Sequence, residues 1–160
     1  MKKAYQAEHG NTGDRMNAND MRYSEQAERL ANETLAEVKA KAVTVKKGES
    51  FIDAVKKFAR ELGIYGTYET EAGQVIFDER GIQNSLSHTK YQNKADVIPA
   101  IPEVLTKGIY LGSFLDKDGK PIQNHYFCGS VKVGNDKKIL FIRTRETEGE
   151  KNKFYVHEVY

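Results

Sequence analysis

The 160-residue chain has one cysteine, Cys128, three prolines and no tryptophan. A lone cysteine excludes an internal disulfide and a cysteine-rich zinc site, so nothing in the sequence calls for an oxidising compartment. The longest apolar runs are about five residues, against the roughly 18 to 20 a membrane span needs. Met1-Lys2-Lys3 leads into polar sequence rather than the apolar stretch of a signal peptide. The expectation is a soluble chain without a membrane role. A strong charge of one sign is missing too, since 25 Lys and Arg against 23 Asp and Glu leave +2. Such a chain is not drawn as a whole onto polyanions, so any basic site must be local. Residues 1–80 carry 13 basic and 14 acidic groups, and residues 81–160 carry 12 and 9, which makes the halves −1 and +3. His88, His125 and His157 lie in the second half, with only His9 in the first.

Common catalytic signatures are also lacking. There is no Walker loop, Gly-x-Gly-x-x-Gly, His-Glu-x-x-His, Gly-x-Ser-x-Gly or Cys-x-x-Cys. Nucleotide hydrolases, Rossmann oxidoreductases, zincins and α/β-hydrolases lose their leading claim. What is present is a composition of 39% hydrophobic and 30% charged residues, enough for one globular core.

Residues 1 to about 20 hold Gly10, Gly13 and four Asn or Asp between Asn11 and Asn19, and read as a disordered lead. Ser24 to Ala42 is rich in Ala, Glu and Lys with Leu30, Leu35, Val38 and Ala42 near helical spacing, which predicts a narrow amphipathic helix. A stronger helix follows: Ser50 and Asp53 resemble a capping box, Phe51, Ile52, Val55, Phe58, Ala59 and Leu62 form an apolar face, and Gly63 ends it. Tyr65–Thr70 and Gln74–Phe77 read as a hairpin around Glu71-Ala72-Gly73. Two helical stretches come next, from Gly81 to about Tyr91 and from about Lys94 to Lys107, the second broken or restarted at Pro102. After Gly108 the pattern becomes strand-like over 109–115, 123–133, 138–144 and 153–160, with turn signals between. The expected fold class is α+β, with N-terminal helices packed on one face of a four-stranded antiparallel β-meander. Residues 1–42 would be a disordered lead and linker helix, and residues 43–160 the domain.

The sparse set of His, Arg, Lys, Tyr and Ser is what a metal-independent nuclease needs. Ser85 and His88 share a helical face, which offers His88 as a proton carrier; the plainer reading is a helix-starting serine and a surface histidine. On the last strand, parity sets Lys153, Tyr155 and His157 opposite Phe154 and Val156, and on the preceding strand Arg143 and Arg145 opposite Leu140, Ile142 and Thr144. If the polar ends align, Arg143 and His157 flank one phosphate; the alternative is a solvated face of cross-strand charge pairs. His125 and Tyr126 point to opposite faces, and His125 shares parity with Phe127, Val131 and Val133, which favours a buried or rim position. No two histidines stand at i, i+2 or i, i+4, so no metal site is expected. Cys128 reads as a small strand residue.

The block Gln74 to His88, with Gly81-Ile82, Ser85 and His88 as Gly-Ile-x-x-Ser-x-x-His, resembles phage and mobile-element nucleases of the barnase, EndoU, colicin and RelE-like fold. It is similar in particular to the large polyvalent protein-associated domains of that group. The likeness spans about residues 43–160 and includes Gly66-Thr67-Tyr68 and the final Phe154-Tyr155-Val156-His157; Pro99 and Pro102 depart from the pattern. It implies a barnase/RelE-like ribonuclease without metal or cofactor, a toxin or phage-delivered effector acting on RNA, with tRNA among the candidates, in the cytoplasm. A cognate immunity or antitoxin protein would be its other partner. His88 and His157 would then be the acid/base pair, imidazoles of pKa roughly 6.5 serving either role near neutrality. Arg143 would clamp the phosphate, Ser85 and Tyr155 would orient it, and Tyr126, His125, Arg145 and Lys153 would bind the strand. The alternatives are a non-catalytic RNA- or protein-binding module on the same scaffold and, more remotely, an ADP-ribosyl transferase.

Overall fold

The computed structural model describes residues 18–87, 92–115, 122–146 and 153–160. The chain divides between Glu33 and Thr34 into two compact units. In the first, helix α1 spans Ala18–Asn32, and its last turn carries an Arg29 Nε to Glu33 Oε1 bond of 2.9 Å. The helix expected over 24–42 therefore stops ten residues early. Ala36–Val38 is instead strand β1, paired in parallel with Val131–Val133. Local propensity favoured helix there, and a sheet edge formed almost a hundred residues later overrides it. Of the lead expected over 1–20, residues 1–17 lie outside the described residues, as do His88 and the turns expected at 116–119 and 148–150.

In the second unit, α2 (Phe51–Leu62) begins where the Ser50 hydroxyl accepts from Asp53 N at 3.1 Å, and ends at Gly63, whose φ of 72° few side chains tolerate. Strands β2 (Gly66–Thr70) and β3 (Gly73–Phe77) form the hairpin, closed by Thr70 opposite Gly73. Helix α3 (Glu79–Ser87) starts two residues before the expected Gly81, because the Asp78 side chain accepts from Arg80 N at 3.0 Å. The next stretch is broken as the prolines require: α4 (Gln92–Asp96), a 3-10 turn (Ile98–Ala100) holding Pro99, and α5 (Ile101–Lys107) with Pro102 in its first turn. Strands β4 (Ile109–Leu115), β5 (Gln123–Val133), β6 (Asp136–Glu146) and β7 (Phe154–Val159) follow.

The class is α+β, but the sheet is not a four-stranded antiparallel meander. It is mixed and seven-stranded, in the order β1-β5-β6-β7-β3-β2, with β4 paired to β5. β3 runs parallel to β7 and β1 parallel to β5, while β6 fills the other side of β5 along its length. Both parallel joints link segments far apart in sequence, which no local periodicity reports. Val55, Ala59, Val75, Phe77, Ile82, Ile98, Ile101 and Val104 meet Phe127, Val131, Leu140, Ile142, Val156 and Val159 in one buried core. At ~25 cal/mol per Å² of buried apolar surface, this packing is what holds the helices to the sheet.

Two irregularities decide what the opposite, outer face presents. On β7, Val156 pairs with Thr144 and Glu158 with Arg143, so His157 is an extra residue, a bulge. The bulge lets Val156 and Val159 both enter the core despite their odd spacing, which simple parity had set on opposite faces. On β4, Tyr110 pairs with Phe127 and Gly112 with Tyr126, so Leu111 is skipped and Gly112 takes φ 113°. Every residue beyond it changes face.

Candidate functional site

Helix α3 lies along β7. β3 pairs only with Phe154 and Tyr155, and past that point the helix that follows β3 takes over the edge. Gly81 permits the approach: a Cβ there would sit 2.8 Å from the Val156 carbonyl oxygen. One turn on, the buried Ser85 hydroxyl donates to Gly81 O at 2.6 Å and accepts from Val159 N at 3.1 Å. The Gly-Ile-x-x-Ser block is thus a docking device, with Ile82 in the core beside it. Ser85 neither starts the helix nor faces the outer surface.

This docking sets two helix residues over two strand residues. The Arg80 guanidinium lies 4.3 Å from the Tyr155 ring centroid, and Asn84 Nδ2 is 3.3 Å from His157 Nδ1. Four residues of helix rise about 6 Å and two of strand about 6.6 Å, so i, i+4 on α3 matches i, i+2 on β7. Asp78 holds Arg80 from behind, with Oδ2 accepting from Nη2 at 3.1 Å and Nε at 3.3 Å. Those bonds, and then one with Tyr155, push the guanidinium pKa further up, so its charge is fixed. The Asn84 side-chain amide can donate to an unprotonated Nδ1 or, turned over, accept from a protonated one, so it can orient the His157 ring in either state.

Register extends the site across the sheet. Arg145 stands opposite Tyr155 and Asn124, and Arg143 stands opposite Tyr126 and, on β7, Glu158 beside His157. Arg143 and Arg145 are half-buried on the face opposite Leu140, Ile142 and Thr144. The outward positions of β5 and β6 are Asn124, Tyr126, Cys128, Ser130 and Lys132, and Lys137, Ile139, Phe141, Arg143 and Arg145, with no carboxylate among them. Lys153 is exposed just before β7. Arg143, Arg145, Tyr126, Tyr155 and His157 are therefore on one face.

His125 is not with them. It turns to the core side, where its Nδ1 bonds the Tyr110 hydroxyl at 2.7 Å and its ring meets Phe154 edge-on at 4.3 Å. Burial pushes its pKa down, partly countered by Glu146. Its Nε2 has no hydrogen-bond partner among the described residues, nor has Asn124 Oδ1. His88 lies outside the described residues. Arg80 and Asn84 do not stand out in the sequence as site residues; their one signal is the i, i+4 spacing, matched to Tyr155 and His157.

Among the described residues no group of three or more His, Cys, Asp or Glu is placed to hold a metal, and no helix is long and apolar enough to cross a membrane. A separate groove of about 400 Å³ between β1, α2 and the 3-10 turn is lined by Val38, Val43, Phe58, Leu62 and Pro99, and holds no His, Arg or Tyr. Glu37, Lys39 and Asp96 also line it. The family model of the large polyvalent protein-associated domain 3 matches residues 46–156, a span from the approach to α2 through Val156. No curated protein and no solved structure matches the chain.

Proposed function

The chain belongs to the large polyvalent protein-associated domain 3 family, a domain of polyvalent phage-associated proteins, and from that premise we propose that its outer sheet face is a metal-independent ribonuclease site. The observation that carries this reading is the β7 bulge at His157, a residue that bonds Asn84 next to the Glu158–Arg143 pair, with Tyr155 under Arg80 two residues before it. Bulges re-aim side chains in this way next to active sites.

In the proposed reaction a ribose 2′-hydroxyl attacks the adjacent phosphorus. A base takes its proton, the phosphorus–5′-oxygen bond breaks, and an acid protonates the leaving 5′-oxygen, which yields a 2′,3′-cyclic phosphate and a 5′-hydroxyl. His157 fills one of the two proton-transfer roles and His88, on the strength of the sequence, the other. Arg143 stabilises the charge that builds on the phosphate, and Tyr126 and Tyr155 offer stacking surfaces. Ser85 has no part in the chemistry; it positions α3. tRNA is the first substrate to try, and a neutralising protein is the partner a toxin of this kind requires.

A second reading, a non-catalytic RNA-binding module, is favoured by the commitment of Ser85 to packing, which leaves one fewer group for catalysis. Incubating the protein with tRNA in EDTA separates the two. The first predicts fragments with cyclic phosphate ends, lost by about 10²-fold or more in His157→Ala. Unchanged cleavage in His157→Ala refutes the assigned chemistry, and binding without fragments supports the second reading.

A further inference from the structure

Phe114 is 56% exposed on strand β4. Its ring meets Tyr126 edge-on, with centroids 5.5 Å apart and planes at 62°. The β4 bulge puts it there. Ile109 pairs with Cys128 on the outer face and Tyr110 with Phe127 on the core side, so strict alternation would send Phe114 to the core side. With Leu111 skipped and Gly112 at φ 113°, Phe114 comes instead to stand opposite Asn124 on the outer face. A residue that simple pleating would bury has been turned onto the surface that carries Arg143.

We propose that Phe114 and Tyr126 form a seat for an unpaired nucleobase of the RNA strand whose phosphate lies at Arg143. The inference rests on the RNA reading above and names the form of substrate that site takes. Neighbouring strands are about 4.8 Å apart and two residues of strand rise about 6.6 Å, so Tyr126 lies one strand from Arg143, about 5 Å, while Phe114, opposite Asn124 and in line with Arg145, lies two strands across and two residues along, about 12 Å. The Arg143 and Phe114 side chains each reach several ångströms into that gap, so one nucleotide spans what is left from its phosphate to its base. The charge beside the seat suits a phosphate chain, since the outward positions of β5 and β6 there are Asn124, Tyr126, Arg143 and Arg145, two cations and no carboxylate. An aromatic seat accepts any of the four bases, because each has a π-face, and rejects duplex RNA, whose bases are already stacked.

The test is fluorescence anisotropy with a labelled 2′-O-methyl RNA, which lacks the attacking hydroxyl and cannot be cleaved. It is read as a single strand, as a duplex, and as a single strand with one base removed at successive positions. Phe114→Ala should bind the intact single strand roughly 5- to 100-fold more weakly and the duplex unchanged, and Phe114→Trp should restore binding. At one position, removing the base should weaken the wild type by a similar factor and Phe114→Ala hardly further. Equal single-strand binding by wild type and Phe114→Ala, or equal losses on single strand and duplex, overturns the base seat and leaves the RNA surface standing. No binding of any probe by the wild type overturns the RNA reading and the seat with it.

Discussion

Replacing Gly81 by alanine sets two well-known effects against each other. In an exposed helix the change is favourable by about 1 kcal/mol, and Gly81 does not adopt a positive φ, so backbone freedom gives no reason to keep it. Here the added methyl would lie 2.8 Å from the Val156 carbonyl oxygen and 3.2 and 3.3 Å from the Val156 side chain. The first of these is backbone and cannot swing away. To regain ordinary contact α3 must withdraw from β7 by about half an ångström, which stretches the 3.1 Å Ser85–Val159 bond out of useful range. Overpacking at a tight interface costs about 1 to 3 kcal/mol and the lost bond about 1 kcal/mol, so contact outweighs propensity. Gly81→Ala should be destabilised by about 1 to 3 kcal/mol in urea unfolding, with the midpoint lowered and the slope unchanged. The same withdrawal loosens Asn84 from His157, so RNA cleavage should fall too. A variant more stable than the wild type by about 1 kcal/mol would refute the close helix–strand contact, and with it the account of how the site is held.

Ser85→Ala leaves the buried Val159 N–H without its acceptor and should cost about 1 to 3 kcal/mol in the same titration; a neutral result would show that the strand edge finds another partner. The lowered pKa of His125 means that the folded protein binds fewer protons than the unfolded chain just below pH 6.5. Stability from this residue should therefore be full above about pH 6.5 and decline as the pH falls below it. The decline should be shallower in His125→Gln, and an identical slope would contradict the assignment. Asn84→Asp sets a carboxylate at the Nδ1 of His157, which favours the imidazolium. The limb of the cleavage pH profile that His157 governs, the acid limb if it is the base and the basic limb if it is the acid, should move up by about one unit, an effect that a merely structural Asn84 would not produce.

Local signals in the sequence served well wherever one element is governed by its own residues. The Ser50 cap, the Gly63 stop, the hairpin and the proline-broken stretch before Gly108 all follow from side chains within a turn of the feature. β1 was illegible, since Ala36-Glu37-Val38 is helix-favouring and becomes a strand only because β5 offers it an edge. The parallel joint of β3 to β7 was hidden for the same reason. Within the candidate site, the facing of Arg143, Arg145, Tyr155 and Tyr126 was readable from strand parity. The bulges were not, because an extra residue shows itself only against its partner strand. They re-aim Phe114 and bring both Val156 and Val159 into the core. Ser85 is legible only at the level of contact: its spacing from His88 points to chemistry, while its hydroxyl joins a helix to a strand edge.

The central claim is that RNA lies across the outer face of β5, β6 and β7 at the His157 bulge. Titrating isotope-labelled protein with the uncleavable 2′-O-methyl strand while following backbone and side-chain resonances tests it most directly. The largest shifts should fall on Tyr126, Arg143, Tyr155, His157 and the Asn84 amide, with the core-side ring of His125 little changed. Shifts gathered instead around Val38, Phe58 and Leu62, or no shifts at all, would contradict it.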